Sequence, residues 1–184
     1  PNIHQPKTEL LMQTDRTRIL TESIRRLLRR NAVTHLRKIV NKTHAADLSA
    51  IFPSLPFSNQ QKLFDMIEDT EKKGTLFSEI GEDILLNLIR GTDIDHVVEI
   101  LETMAADDVA DLIERLPEDL SEVILEKMKN GSEDVEGLLR YQNDTAGGIM
   151  VPDFIALREN ITAKEAIESL QKEHADVEMP FYLY

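Results

Sequence analysis

The chain has 184 residues, 41% hydrophobic and 30% charged, the balance of a soluble globular protein with one sizeable core and room for an appendage. It holds no cysteine, which excludes disulfide scaffolds, zinc-thiolate sites and thiol catalysis, and its aliphatic runs, such as Ile84-Leu85-Leu86, fall far short of the roughly 18–20 apolar residues of a membrane span. The net charge of −13 is divided: residues 1–42 carry net +7 and residues 43–184 net −20, so the body repels nucleic acid and attracts cations.

With 5% aromatics, no Trp and only seven Gly, the composition favours helices. Pro1 reads as a trimmed N-terminus, and no secretory leader follows it. Some fifteen residues show no clear periodicity. Residues 16–30 then predict a helix with Ile19, Leu20, Ile24, Leu27 and Leu28 on one side and Arg25, Arg26, Arg29 and Arg30 around it. Such a helix suits anionic lipid or nucleic acid; the plainer arrangement packs its leucines on the next element and leaves the charges solvated or facing the acidic body.

From about residue 34 to 141 a helical beat repeats, with its clearest self-match at an offset of 61. Asp47-Leu48, Ile51-Phe52 and Leu55-Pro56 recur as Asp108-Val109, Leu112-Ile113 and Leu116-Pro117. These spacings put the apolar members on one helix face, and the shared proline marks where one helix stops and the next begins. Between the copies the pattern predicts a helix near 58–73, opened by a Ser58-x-x-Gln61 capping box, and one near 82–90 ended by Gly91. Thr92 or Asp93 starts a helix through Met104, and further helices follow near 107–116, 118–129 and 132–141. Stacked helical hairpins fit this pattern, with a compact helical bundle as the alternative.

After Gly147-Gly148 the texture changes. Phe154-Ile-Ala-Leu157 reads as a short strand, Thr162-x-x-Glu165 as a capping box, Ala166, Ile167 and Leu170 as an apolar stripe, and Phe181-Tyr-Leu-Tyr184 as a second strand. The chain stops inside what looks like an α/β domain, so its end is expected to be poorly ordered or paired with another copy.

Gly147-Gly148 has neither the Walker lysine nor the dinucleotide spacing, and no nucleophile–base arrangement appears, so an enzyme is not expected. His96, beside Asp95 and Glu99, lacks further ligands for a metal, and Asp93-Ile-Asp95-His-Val-Val-Glu99 lacks the glycine of a calcium loop. What remains is carboxylate density: residues 93–136 hold fifteen Asp/Glu against Arg115, Lys127 and Lys129. Within it Asp107 and Asp111 lie four apart, about 5–6 Å at Cβ on one helix face, and repel each other. A divalent cation would relieve that repulsion, and magnesium, which keeps several waters, suits a water-mediated bridge from such a pair to a second acidic surface. Alternatively Asp107 or Asp108 caps the helix and Asp111 pairs with Arg115.

Ala-Asp-Asp-Val-Ala-Asp-Leu-Ile-Glu-Arg-Leu-Pro (106–117), Leu-Leu-Arg-Tyr-Gln-Asn-Asp-Thr-Ala-Gly-Gly-Ile-Met (138–150), Asp153-Phe-Ile-Ala-Leu157 and Thr162-Ala-Lys-Glu-Ala-Ile167 together resemble the cytosolic part of the MgtE family of magnesium channels/transporters. The resemblance runs from about Leu36 to Tyr184. It implies an all-α, right-handed superhelical (armadillo-like) N domain followed by an incomplete α/β CBS fragment. The segments are then a basic N-terminal helix and leader at 1–33, the N domain at 34–143 and the start of the first CBS domain at 144–184.

The same resemblance implies a cytosolic regulatory region of a homodimeric channel, held shut when magnesium screens facing carboxylates of the N domain and the CBS pair. Its N-domain metal ligands carry over to Asp107 and Asp111, with Mg2+ bound weakly by this chain alone. The implied partners are the CBS domains and transmembrane pore of the same polypeptide. The basic helix is not matched to the family pattern, and the expectations for it are anionic lipid contact through Arg25, Arg26, Arg29 and Arg30 or folding onto the acidic body. A rival reading is a soluble helical-repeat plus CBS scaffold without a pore.

Overall fold

The structure, a computed structural model, describes residues 6–141, 145–147, 150 and 157–173, with side chains from residue 17 onward except those of Leu170, Lys172 and Glu173. All the regular elements among these residues are helical. They are α1 (Pro6–Arg29), α2 (Val33–Lys42), α3 (Ala45–Ile51) with a 3-10 turn at Phe52–Ser54, α4 (Phe57–Phe64), α5 (Thr70–Glu79) and α6 (Glu82–Gly91). Then follow α7 (Ile94–Leu101), α8 (Ala106–Glu114), α9 (Glu118–Lys127), α10 (Ser132–Leu138) and α11 (Ala163–Glu173).

Helix α1 begins about ten residues earlier than its periodicity predicts. Pro6 fits a first helical turn, and Lys7, Glu9, Leu10, Leu11, Met12 and Gln13 are strong helix formers, so propensity carries the helix without an apolar stripe. Asn31 ends it in the left-handed region, φ 49°. Its amide donates to the Leu28 carbonyl at 3.0 Å and the Ala32 amide to Leu27 at 3.1 Å, the double closure of a Schellman ending. Ile24 is fully buried, whereas Ile19, expected on the same apolar side, is 60% exposed.

The predicted helix over 58–73 is two helices. Pro56, not Ser58, stands at the N-cap of α4, and Gln61 turns away to donate to Asp65 and Thr92. The chain breaks after Phe64 because Met66 and Ile67 close tight turns on Leu63 and Phe64, sending Ile67 into the core. Asn41 of α2 clamps this break, donating to the Met66 carbonyl at 3.1 Å and accepting from the Glu68 amide at 2.9 Å. Asp69 then caps α5 by accepting from the Lys72 amide at 3.2 Å. Asn41→Ala is expected to cost about 1–2 kcal/mol, read by urea denaturation, because it strips a carbonyl and an amide of their partners.

Gly91 lies in the last turn of α6, and Thr92 is the C-cap. A Cβ at Gly91 would meet the end of the Gln61 side chain, which would have to shift. Asp93 caps α7, accepting from the Asp95 amide at 3.0 Å.

The chain forms two compact units: residues Pro1–Met104 with Arg115–Met128, and residues Ala105–Glu114 with Lys129–Tyr184. In the first, α1 packs on α2 and α3, α2 on α4, α3 on α5, α4 on α6, α5 on α7 and α7 on α9. Most of these helices meet the next but one in sequence. Its core holds Phe52, Phe64 and Phe77, all fully buried, with the Phe64 and Phe77 rings stacked at 5.0 Å. In the second unit α8 packs on α10, with Val109, Leu112 and Ile113 buried on one and Val135 and Leu138 on the other.

The 61-residue repeat is visible in burial. Leu48, Ile51, Phe52 and Leu55 are buried, as are their counterparts Val109, Leu112, Ile113 and Leu116. Pro56 and Pro117 stand at the N-caps of α4 and α9 with φ of −60° and −59°.

Toward the second segment, a Cβ on Gly147 would overlap the Tyr141 ring, which accounts for a glycine in this part of the junction. Before α11, the Thr162 amide donates to Glu165 Oε2 at 2.7 Å and the Glu165 amide to Thr162 Oγ1 at 3.3 Å, the reciprocal box read from the sequence. These bonds hold the Glu165 carboxyl below its usual range. Ile167 of the predicted apolar stripe is 54% exposed. The Leu170 side chain, Phe154 to Ala156 of the first predicted strand and the second strand at Phe181–Tyr184 lie outside the described residues. No helix among the described residues is long and apolar enough to cross a membrane.

Candidate acidic metal surface

Helix α8 opens at Ala106, so Asp107 and Asp108 sit inside its first turn rather than at its cap. There the free amides of the helix start favour negative charge by about 0.3–1 kcal/mol each. Asp107 is half-buried and its Oδ1 has under 1 Å2 of accessible surface with no hydrogen-bond partner. A shielded carboxylate oxygen without a donor is an orphan that a cation or water would satisfy. Asp111, one turn on, is exposed.

The alternative pairing of Asp111 with Arg115 does not form. The Arg115 guanidinium donates instead to the Ile80 carbonyl at 2.6 Å, closing the end of α5, and Asp111 makes no ion pair among the described residues. Lys127 is also engaged: its ammonium donates to Asp95 Oδ1 at 2.6 Å. That hydrogen bond and the Asp95 charge raise the Lys127 pKa above its ordinary value.

The described residues hold no group of three or more potential metal-ligating acids, histidines or cysteines. Asp107 and Asp111 thus offer oxygen donors of the kind magnesium takes, but as a pair only, and the rest of a coordination shell must come from water or from another surface.

Both ring nitrogens of His96 have protein neighbours. Its Nε2 lies 2.8 Å from the Lys73 ammonium and its Nδ1 3.0 Å from Glu99 Oε2. An ammonium only donates, so Nε2 is the acceptor toward Lys73 and Nδ1–H the donor toward Glu99. Asp95, the third member of that sequence cluster, is held by Lys127. Sequence reading did not find Lys73, which is 23 residues from His96; only the i, i+3 spacing of His96 and Glu99 was visible. Lys73 is buried with its ammonium 5.1 Å from the Phe64 ring centroid. Burial lowers its pKa below the ordinary lysine value, with Asp65 and Glu99 pulling the other way.

Comparisons with known proteins bear on the fold and the family. The curated magnesium transporter MgtE of Thermus thermophilus is 25% identical over 170 residues, covering 90% of this chain and 37% of its own length, so the chain spans little more than a third of that relative. The crystal structure of the cytosolic domain of the Mg2+ channel MgtE in complex with ATP superposes with a TM-score of 0.81 at 25% identity, covering 89% of this chain and 67% of that one. The soluble part of a magnesium transporter shares the fold, with a TM-score of 0.73 at 20% identity over 91% of this chain and 66% of its own. Residues 43–144, more than half of the chain and including both copies of the repeat and the α8 aspartates, match the model of the MgtE intracellular N domain, and the chain belongs to that family.

Proposed function

We propose that this chain is the cytosolic magnesium-sensing regulatory region of an MgtE-type magnesium channel/transporter and has no catalysis of its own. The observation that carries the reading is the pair Asp107 and Asp111 on α8, inside the segment matched by the family, one carboxylate oxygen orphaned and the other side chain open to solvent.

Asp107 and Asp111 would hold Mg2+ through oxygen, with water and a facing acidic surface of the CBS pair as the other ligands. Bound there, the ion supplies positive charge that screens like-charged surfaces. Without it Asp107 and Asp111 carry uncompensated negative charge that repels other carboxylates. Differential binding of this kind biases a two-state equilibrium toward the closed channel only by the difference in affinity between the two states. In this reading the stacked hairpins form a right-handed superhelix over residues 34–143, residues 144–184 open a CBS domain, and the assembled protein is a homodimer with a transmembrane pore.

The test is limited proteolysis of a polypeptide carrying this chain together with the CBS pair. Millimolar magnesium is expected to raise its protease resistance, and Asp107→Asn with Asp111→Asn to abolish that rise. Protection unchanged in the double variant overturns the site. A polypeptide that ends after the CBS pair, with no spanning segments, would favour the pore-free regulator instead.

A further inference from the structure

A cleft of about 930 Å3 is lined by Arg25, Arg26 and Arg29 of α1 and by Ser54, Pro56 and Asn59 from the 3-10 turn and the start of α4. That volume lies in the range of ligand pockets. One guanidinium is anchored, since Arg25 Nη2 donates to the Ser54 carbonyl at 2.5 Å. Arg26 and Arg29, three apart on the helix, are exposed and make no ion pair among the described residues. Glu22 is the one carboxylate among the described lining residues, so the cleft keeps an excess of positive charge. Arg30, just past the end of α1, does not line it.

Clustered guanidiniums with unused donors match phosphate oxygens, which they bind through paired N–H groups. A second feature selects the source of the phosphate. Ile19 lines the same cleft and is 60% exposed, and Phe57, next to the lining Pro56, is 47% exposed. Apolar side chains beside arginines are the chemistry of a bilayer surface, where the aliphatic part enters the acyl boundary and the cations meet the headgroups. The net +7 of residues 1–42, against −20 for the remainder, confines this attraction to the segment that carries α1.

We propose that this cleft docks on the phosphate headgroup of an anionic phospholipid, with Arg26 and Arg29 gripping the phosphate, Arg25 held in place by Ser54, and Ile19 entering the lipid. The site is independent of the magnesium reading, because none of its residues lies on α8.

The experiment is co-sedimentation of the 184-residue chain with phosphatidylcholine vesicles, with and without phosphatidylglycerol. Binding is expected only with phosphatidylglycerol. Arg26→Ala with Arg29→Ala is expected to weaken it about thirty-fold, roughly five-fold per arginine. Ile19→Ser should weaken vesicle binding as well. These side chains are exposed, so an unchanged melting curve for each variant establishes that the fold is intact. Lys38→Ala with Lys42→Ala removes the same charge from α2 and is expected to have a much smaller effect.

An equal loss in that lysine variant would reduce the attraction to diffuse charge and overturn the site. So would binding that ignores phosphatidylglycerol or survives the arginine substitutions. Arginine-dependent binding of inorganic phosphate or a short oligonucleotide without vesicle binding would overturn the lipid assignment.

Discussion

Phe64→Ala should destabilise the chain by about 3–5 kcal/mol. Phe64 has no exposed surface and its ring stacks on Phe77 at 5.0 Å with an interplanar angle of 13°. It also lies under the Lys73 ammonium. Truncation leaves a cavity among α4, α5 and their neighbours, forfeits the ring contact and removes the aromatic face that helps hold a desolvated cation. Phe57→Ala is the comparison, since the 47% exposed ring should cost no more than about 0.5 kcal/mol. Denaturant midpoints of the two variants give the difference directly. Similar midpoints would mean that the Phe64–Phe77 stack is not part of the core.

Gln60→Glu should cost about 3–5 kcal/mol at neutral pH, the penalty of a buried charge without a partner. The Gln60 side chain is buried, and its amide donates to the carbonyls of Phe52 at 2.8 Å and Leu55 at 3.1 Å. A carboxylate of the same shape would face two acceptors with no proton to offer. Burial and those carbonyls raise the carboxyl's folded pKa above its unfolded value, so the unfolded state is the more readily ionised one. The penalty is therefore present above the folded pKa and is relieved as pH falls through it, when the protonated acid can donate again. Urea titrations of both proteins across the acidic range should show the gap narrowing toward low pH. A gap independent of pH would place the substituted side chain in solvent.

The helices were largely legible because apolar residues recur at helical spacing and the stops are chemical. Pro56 and Pro117 mark the entries to α4 and α9, and Thr162 and Glu165 close a reciprocal box before α11, each device acting within a few residues. The break between α4 and α5 was not legible. It is clamped by Asn41, 25 residues before Met66, and no local window contains both. The start of α1 was missed for the opposite reason: residues 6–15 form a helix from propensity without a stripe that a periodicity search would find.

For the candidate site, spacing alone put Asp107 and Asp111 on one helix face. It did not distinguish one from the other, nor did it show that Arg115 is used elsewhere. The sequence by itself determined the helical array, its repeat, the division of charge and the acidic pair, because these follow from residue type and separation along the chain. Tertiary structure decided that one Asp107 oxygen is shielded, that Arg115 closes α5, that His96 lies against Lys73, and that three arginines of α1 share a cleft with Ser54 and Asn59. These are contacts between elements distant in sequence or consequences of burial, which no local window of the chain contains.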